Sequence, residues 1–234
     1  DVFDATFDHI TTMRSVTING NGYTICGQDK VTLFLVQNGY SLTLNNLTIC
    51  HFNNSDANDG EGGAIYVNSG STLIANYVNF TDNTALYKGG AIYNKGTVIV
   101  NHTVFDSNNI TKTDGRNTDF YGGAAIYNLD GTLTVNNSVF TNNQKDYKYG
   151  TTYGEGDMVY AIITTSGTAT ITNSNFTGNK GRWGSAIIMD KVGSSTDGFI
   201  TIDNCNFTDN LAFSGGAVDI EEFGYIIKNS CFEI

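Results

Sequence analysis

Short runs of alternating apolar and polar residues fill this chain. Ser41-Leu42-Thr43-Leu44 and Thr132-Leu133-Thr134-Val135 keep a period of two, are rich in β-branched side chains, and end at Gly or Asn, so they predict strands of four to six residues joined by tight turns. Two signals punctuate them. The first is Gly-Gly-Ala-Ile-Tyr at Gly62 and Gly89, which becomes Gly-Gly-Ala-Ala-Ile-Tyr at Gly122, Gly-Ser-Ala-Ile at Gly184 and Gly-Gly-Ala-Val at Gly215. The second is Phe-x-x-Asn, seen as Phe80 to Asn83, Phe105 to Asn108, Phe140 to Asn143, Phe176 to Asn179 and Phe207 to Asn210, with Phe232 opening one more.

The phenylalanines are spaced by 25, 35, 36, 31 and 25 residues. A helical solenoid needs two amphipathic helices per repeat, and a propeller blade needs about forty residues in four antiparallel strands. A coil of three short strands needs only about 22 to 25 residues. The expected fold is therefore all-β, a right-handed parallel β-helix of about eight coils, roughly 40 Å tall at one strand spacing per coil.

In such a stack, equivalent positions form columns. Ile65, Ile92, Ile126, Ile162, Ile187 and Val218 are expected to form an aliphatic column, each preceded by Ala (Ala64, Ala91, Ala125, Ala161, Ala186, Ala217). Ile49, Phe80, Phe105, Phe140, Phe176, Phe207 and Phe232 are expected to form an aromatic one, and Asn46, Asn101, Asn136, Asn173, Asn204 and Asn229 a row of turn amides bonded along the axis. Tyr66, Tyr93 and Tyr127 follow the aliphatic column and should point outward, where they would stabilise the ladder or present a row to sugars. Residues 1–15 lie outside the repeat. Phe3, Phe7, Ile10 and Met13 have helical spacing, with an extended strand as the alternative, and the segment would cap the open end; residues 16–234 would form the β-helix and continue into a longer polypeptide.

Insertions do not build the core, so they are where function is expected. The two longest, about 107–121 and 141–158, fall on consecutive coils at one corner. From them and the next coil, Arg116, Phe120, Tyr121, Tyr147, Tyr149, Tyr153 and Trp183 are the candidate ligand surface, because Tyr and Trp offer rigid area and hydrogen bonds together. The bland alternative is that these aromatics shield a coil edge.

Composition narrows the classes. Charged residues are 15% and Pro is absent, while Gly reaches 27 residues, which suits strands and turns. A net charge of −11 with no basic stripe argues against nucleic acid, and no run of eighteen apolar residues offers membrane insertion. Cys26, Cys50, Cys205 and Cys231 have no metal-ligand spacing. Cys26 and Cys50 hold the same place in Thr-Ile-Cys, one repeat apart, so they are expected face to face, either bridged or as two free thiols. Cys205 and Cys231 should point to opposite faces. Asp82 and Asp209 are far apart along the axis, Glu221-Glu222 is near the end and unsupported as a catalytic pair, and His9, His51 and His102 are scattered, so no catalytic residue, metal or cofactor is assigned. Asn-x-Ser/Thr occurs at Asn46, Asn53, Asn79, Asn101, Asn109, Asn136, Asn175 and Asn206, which indicates glycosylation only weakly in so Asn-rich a chain.

The motif Gly-Gly-Ala-Ile-Tyr-Asn-x-Gly-Thr with Val-Asn-Asn-Ser-x-Phe-Thr-Asn-Asn, fullest from Gly122 to Asn143, resembles the repeats of the adhesin-like proteins of methanogenic archaea. The Gly-Gly-Ala-Ile and Phe-x-x-Asn pair also resembles the chlamydial polymorphic outer membrane proteins. The resemblance implies a secreted, extracellular β-helix on the cell surface, non-catalytic, that binds cell-surface glycans or proteins of another cell as one part of a longer surface protein. The alternatives on the same scaffold are a polysaccharide lyase or glycoside hydrolase, and a structural stalk.

Overall fold

The computed structural model describes residues 9–55, 60–111, 121–144, 163–190, 198–221 and 223–233. Every regular element among them is a strand, every pairing is parallel, and each strand pairs with its equivalents one repeat before and after. The chain is a parallel β-helix. Its first wall is an eight-stranded sheet from Ile10–Thr12 through Phe34–Val36, Ile65–Val67, Ile92–Asn94, Ile126–Asn128, Ile163–Thr165 and Ile187–Met189 to Val218–Ile220. The second wall runs from Val16–Asn19 to Gly224–Lys228, and the third from Thr24–Lys30 to Cys231–Glu233. In two early coils the second and third walls are one bent strand, Ser41–Asn54 and Thr72–Thr81.

The corner before the first wall explains the Gly-Gly signal. Gly62, Gly89, Gly123, Gly184 and Gly215 have φ between 57° and 76°, a left-handed backbone that costs a side chain most. In the next position the coils nearly touch, and a Cβ at Gly63 would overlap the carbonyl oxygen of Gly90. The insertion at Gly122 resolves here: Gly122 bridges to Lys88, so Gly123 holds the turn and Ala124, fully buried, takes the second-glycine place.

Inside, the aromatic column is as expected from Ile49 through Phe232. The rings of Phe80, Phe105, Phe140, Phe176, Phe207 and Phe232 stack at centroid distances of 4.7 to 5.0 Å with tilts of 10° or less. The strand spacing of ~4.8 Å imposes this parallel stack in place of the offset or edge-on geometry that free rings prefer. The aliphatic column passes through Phe34, Ile65, Ile92, Ile126, Ile163, Ile187 and Val218, so Ile163 and not Ile162 fills it. Ala161 lies outside the described residues.

The Asn of Phe-x-x-Asn builds a second interior column, and here every polar capacity is used. Asn143 Oδ1 accepts from both the backbone N–H and the Nδ2 of Asn108, at 3.0 Å each, while its own Nδ2 donates to Phe105 O at 2.9 Å and to Asn179 Oδ1 at 3.0 Å. Asn83, Asn108 and Asn179 repeat the pattern, and Asn210 ends it with a 2.8 Å bond to Phe176 O. Asn83, Asn108, Asn143 and Asn179 are fully buried, which is tolerable because each amide is satisfied.

The outer amide row differs from expectation. Asn46, Asn173, Asn204 and Asn229 hold the left-handed corner, while Asn101 and Asn136 sit one place earlier, at the strand end. The early coils join that strand-end ladder through Asn19, Asn45 and Asn76, with amide bonds of 2.9 to 3.0 Å up to Asn101. The two rows merge where Thr172 and Asn173 both bond to Asn136 Oδ1.

At the N-terminal end Ile10–Thr12 is a strand paired with Phe34–Val36, which replaces the helical reading of that stretch. The backbone groups of the first-wall edge strand gain partners from a strand and would gain none from a helix. Residues 1–8 of the expected cap lie outside the described residues. Cys26 and Cys50 are disulfide-bonded with Cα atoms 4.6 Å apart, tying the first complete coil to the second. Closing this loop of about 25 residues is worth about 3 kcal/mol. Reduction, or a Cys26→Ser/Cys50→Ser variant, is expected to let the N-terminal coils unfold earlier in a thermal melt; an unchanged melt with and without reductant would reject that contribution.

Cys205 is buried and Cys231 exposed, on opposite faces as expected. Cys205 occupies the inward place that Thr103, Ser138 and Ser174 hold in other coils, its backbone N–H donating to Ser230 Oγ at 3.2 Å as those of Thr103 and Ser138 do to the next hydroxyl. Burial pushes its thiol pKa up.

Candidate functional site

The insertions leave the solenoid at neighbouring points. After Phe105 the chain adds a short strand, Asn109–Ile110, paired with Thr84–Ala85, so the first insertion begins after Thr111 rather than at 107. On the next coil Gln144 takes the place of a strand there. Its Oε1 accepts from Ile110 N–H and its Nε2 donates to Ile110 O, both at 3.0 Å, so one side-chain amide imitates a backbone rung. Ile110 and Gln144, close before residues 112–120 and 145–162, are therefore neighbours on consecutive coils.

Where the chain returns, the outer side of the first wall is lined by aromatics. Tyr66, Tyr93 and Tyr127 do point away from the core, but Tyr93 is 2% and Tyr127 1% exposed. An open row for sugars is thus ruled out. The tyrosines form a covered cluster, with centroids 4.9 Å apart for Tyr66 and Tyr93 and 5.7 Å for Tyr93 and Tyr127. Lys88 Nζ lies 5.4 Å above the Tyr127 ring and 3.7 Å from a Glu61 oxygen, with both side chains mostly buried. The Tyr93 hydroxyl donates to Glu61, and burial, reinforced by that carboxylate, raises its pKa far beyond reach, so it remains a donor at any physiological pH. An ion pair, a cation over a ring and a hydrogen-bonded phenol together pin Glu61, Lys88 and Gly122, which bridge one another in register.

Of the candidate residues, Arg116, Phe120, Tyr147, Tyr149 and Tyr153 lie outside the described residues. Tyr121 stacks on Tyr87 at 5.2 Å, at the root of the first insertion. Trp183 is half-buried on the strand Lys180–Trp183, paired with Leu211–Ser214, two coils along the axis from Tyr121. Two coils are ~10 Å, so these two are not in one contact. The sequence missed Tyr87, Glu61 and Lys88. Only the recurrence of the residue before each Gly-Gly could have marked the last two.

Among the described residues no group of three or more His, Cys, Asp or Glu is arranged to hold a metal ion. Asp82 and Asp209 occupy left-handed corner positions on coils four rungs apart, ~19 Å. His51 pairs with Asp29 at 3.3 Å on the surface. The Asp203 carboxylate pKa is lowered by a hydrogen bond from Asn229 and by Lys228, while burial raises that of Asp219. No helix among the described residues is long and apolar enough to cross a membrane.

The fold and its repeat define a class, a β-solenoid in which one covered edge supports paired insertions. Comparison with known proteins gives that class relatives. The sequence model of the Chlamydia polymorphic membrane protein repeat matches residues 77–95, a span that runs from the third wall of one coil to the first wall of the next. A probable autotransporter, YfaL of Escherichia coli (strain K12), is 32% identical over 139 residues, 55% of this chain. The chain spans 10% of that relative's length. No solved structure matches. Of the two resemblances read from the sequence, the chlamydial one is returned here.

Proposed function

We propose that this chain is a non-catalytic attachment module displayed outside the cell, whose insertions contact glycans or proteins of another cell. The polymorphic membrane protein repeat and the likeness to a probable autotransporter support a surface repeat protein. The observation that supports the binding role is the Gln144 to Ile110 pairing, which brings together the described residues that precede the two longest insertions. Arg116, Phe120, Tyr121, Tyr147, Tyr149 and Tyr153 are the contact residues under this proposal. Trp183, two coils along the axis from Tyr121, is the remaining candidate. Under this proposal the chain acts as the adhesin-like proteins of methanogenic archaea are expected to act, and the partner is another cell or host material.

The test is a glycan and whole-cell binding screen of the chain beside a Tyr147→Ser/Tyr149→Ser/Tyr153→Ser variant. Loss of retention by roughly tenfold or more is expected. Equal retention on every target would end the loop proposal. Release of reducing ends or unsaturated products from the glycans would favour a carbohydrate-active enzyme instead.

A further inference from the structure

The corner between the second and third walls is a left-handed turn in each coil, filled by Asn46, Tyr77, His102, Asn137, Asn173, Asn204 and Asn229, with φ from 49° to 55°. Asparagine suits this backbone because its short amide bonds locally. Tyrosine does not. Two consecutive coils nevertheless place large rings there, and the rings of Tyr77 and His102 lie parallel, 4.7 Å apart and tilted by 15°. Tyr77 is 60% exposed and His102 is exposed as well. Such strain in a row that otherwise relaxes it is a mark of use.

The surroundings select the occupant. On one side of the pair run the amides of Asn76 and Asn101, joined at 3.0 Å, and on the other stands Asn79, joined to Thr48 at 3.4 Å. Neither flanking row brings a charged side chain beside the rings: the outward neighbours in sequence are Asn76, Asn79, Asn101 and Val104. A flat aromatic step with neutral amides at both edges fits a pyranose, whose C–H face lies on the rings while its hydroxyls reach the amides. Nucleic acids and acidic sugars find no charge partner here, since their phosphates or carboxylates meet no cation beside the rings and the chain carries −11.

We infer that Tyr77 and His102 form a binding step for neutral polysaccharide, separate from the insertions, which leave the coil between the third and first walls. Its test uses the full chain in affinity electrophoresis through gels containing a neutral β-glucan, mannan or xylan, with polygalacturonate as the acidic comparison. The wild type should be retarded by at least one neutral polymer and not by polygalacturonate. Tyr77→Asn/His102→Asn, which restores the residue of the other coils, should lose roughly tenfold or more in affinity. Its urea midpoint should stay equal or rise. The loop variant Tyr147→Ser/Tyr149→Ser/Tyr153→Ser should keep this retardation, so the two sites fail separately. Undiminished retardation of the double Asn variant, retardation by polygalacturonate alone, or no retardation of the wild type by any neutral polymer would each overturn the step. A double variant that keeps its affinity but loses stability would show the rings to be packing only.

Discussion

Asn143→Ala should destabilise the middle coils by about 2–6 kcal/mol, read as a shift of the urea unfolding midpoint. The substitution removes one oxygen that takes two bonds and one NH2 that gives two. It strands the backbone N–H and the Nδ2 of Asn108, where Asn143 and Asn108 are both fully buried and water cannot replace the lost partner. Each stranded donor costs about 1–3 kcal/mol. Asn101→Ala makes the control. Its amide also bonds to the preceding coil, to Asn76 at 3.0 Å, but at a part-exposed position where water substitutes, so a loss of at most about 1 kcal/mol is expected. Equal costs at the two sites would mean that the interior column contributes side-chain packing rather than satisfied hydrogen bonds.

That contrast also shows what the sequence could and could not reveal. Phe-x-x-Asn was legible because both residues recur at fixed spacing, and the Phe column followed directly. The role of its Asn did not, because an amide in a turn and an amide on a buried axis look alike until register is known. Register failed where an insertion intervened. Between Asn143 and Ile163 nineteen residues separate two coils, and Tyr160-Ala161-Ile162 imitated the motif one place early, so Ile163 was passed over. In Asn136-Asn137 the adjacent amides left two alignments open, and only pairing decided that Asn136 ends a strand level with Thr172 while Asn173 takes the left-handed turn. Tyr93 and Tyr127 show the other limit. Alternation gave their direction correctly but not their cover, to which Lys88 over Tyr127 and Glu61 at Tyr93 contribute. The facing of Cys26 and Cys50 was legible for the opposite reason, since two cysteines at the same repeat place need no knowledge beyond the coil spacing, while the bridge itself was left open against two free thiols.

The same coil spacing governs the second large effect. Phe140→Ala is expected to cost about 3–5 kcal/mol, because the ring lies between Phe105 and Phe176, 4.7 Å from each, and is completely buried. In an ordinary core the neighbours relax into part of the void. Here Phe105 and Phe176 are held two rungs apart by paired strands on the third wall, so they cannot close over the gap, and the value should fall in the upper part of that range. Phe232→Ala removes the same atoms from the last coil, where the ring is 49% exposed and touches one neighbour, Phe207, at 4.7 Å. A loss below about 2 kcal/mol is expected there. Amide hydrogen exchange can localise both effects: Phe140→Ala should lower protection on the coils of Phe105, Phe140 and Phe176 together, whereas Phe232→Ala should loosen only the final coil. Uniform loss of protection along the chain after either substitution would contradict nearest-neighbour coupling, and with it the idea that each rung is stabilised mainly by the rungs it touches.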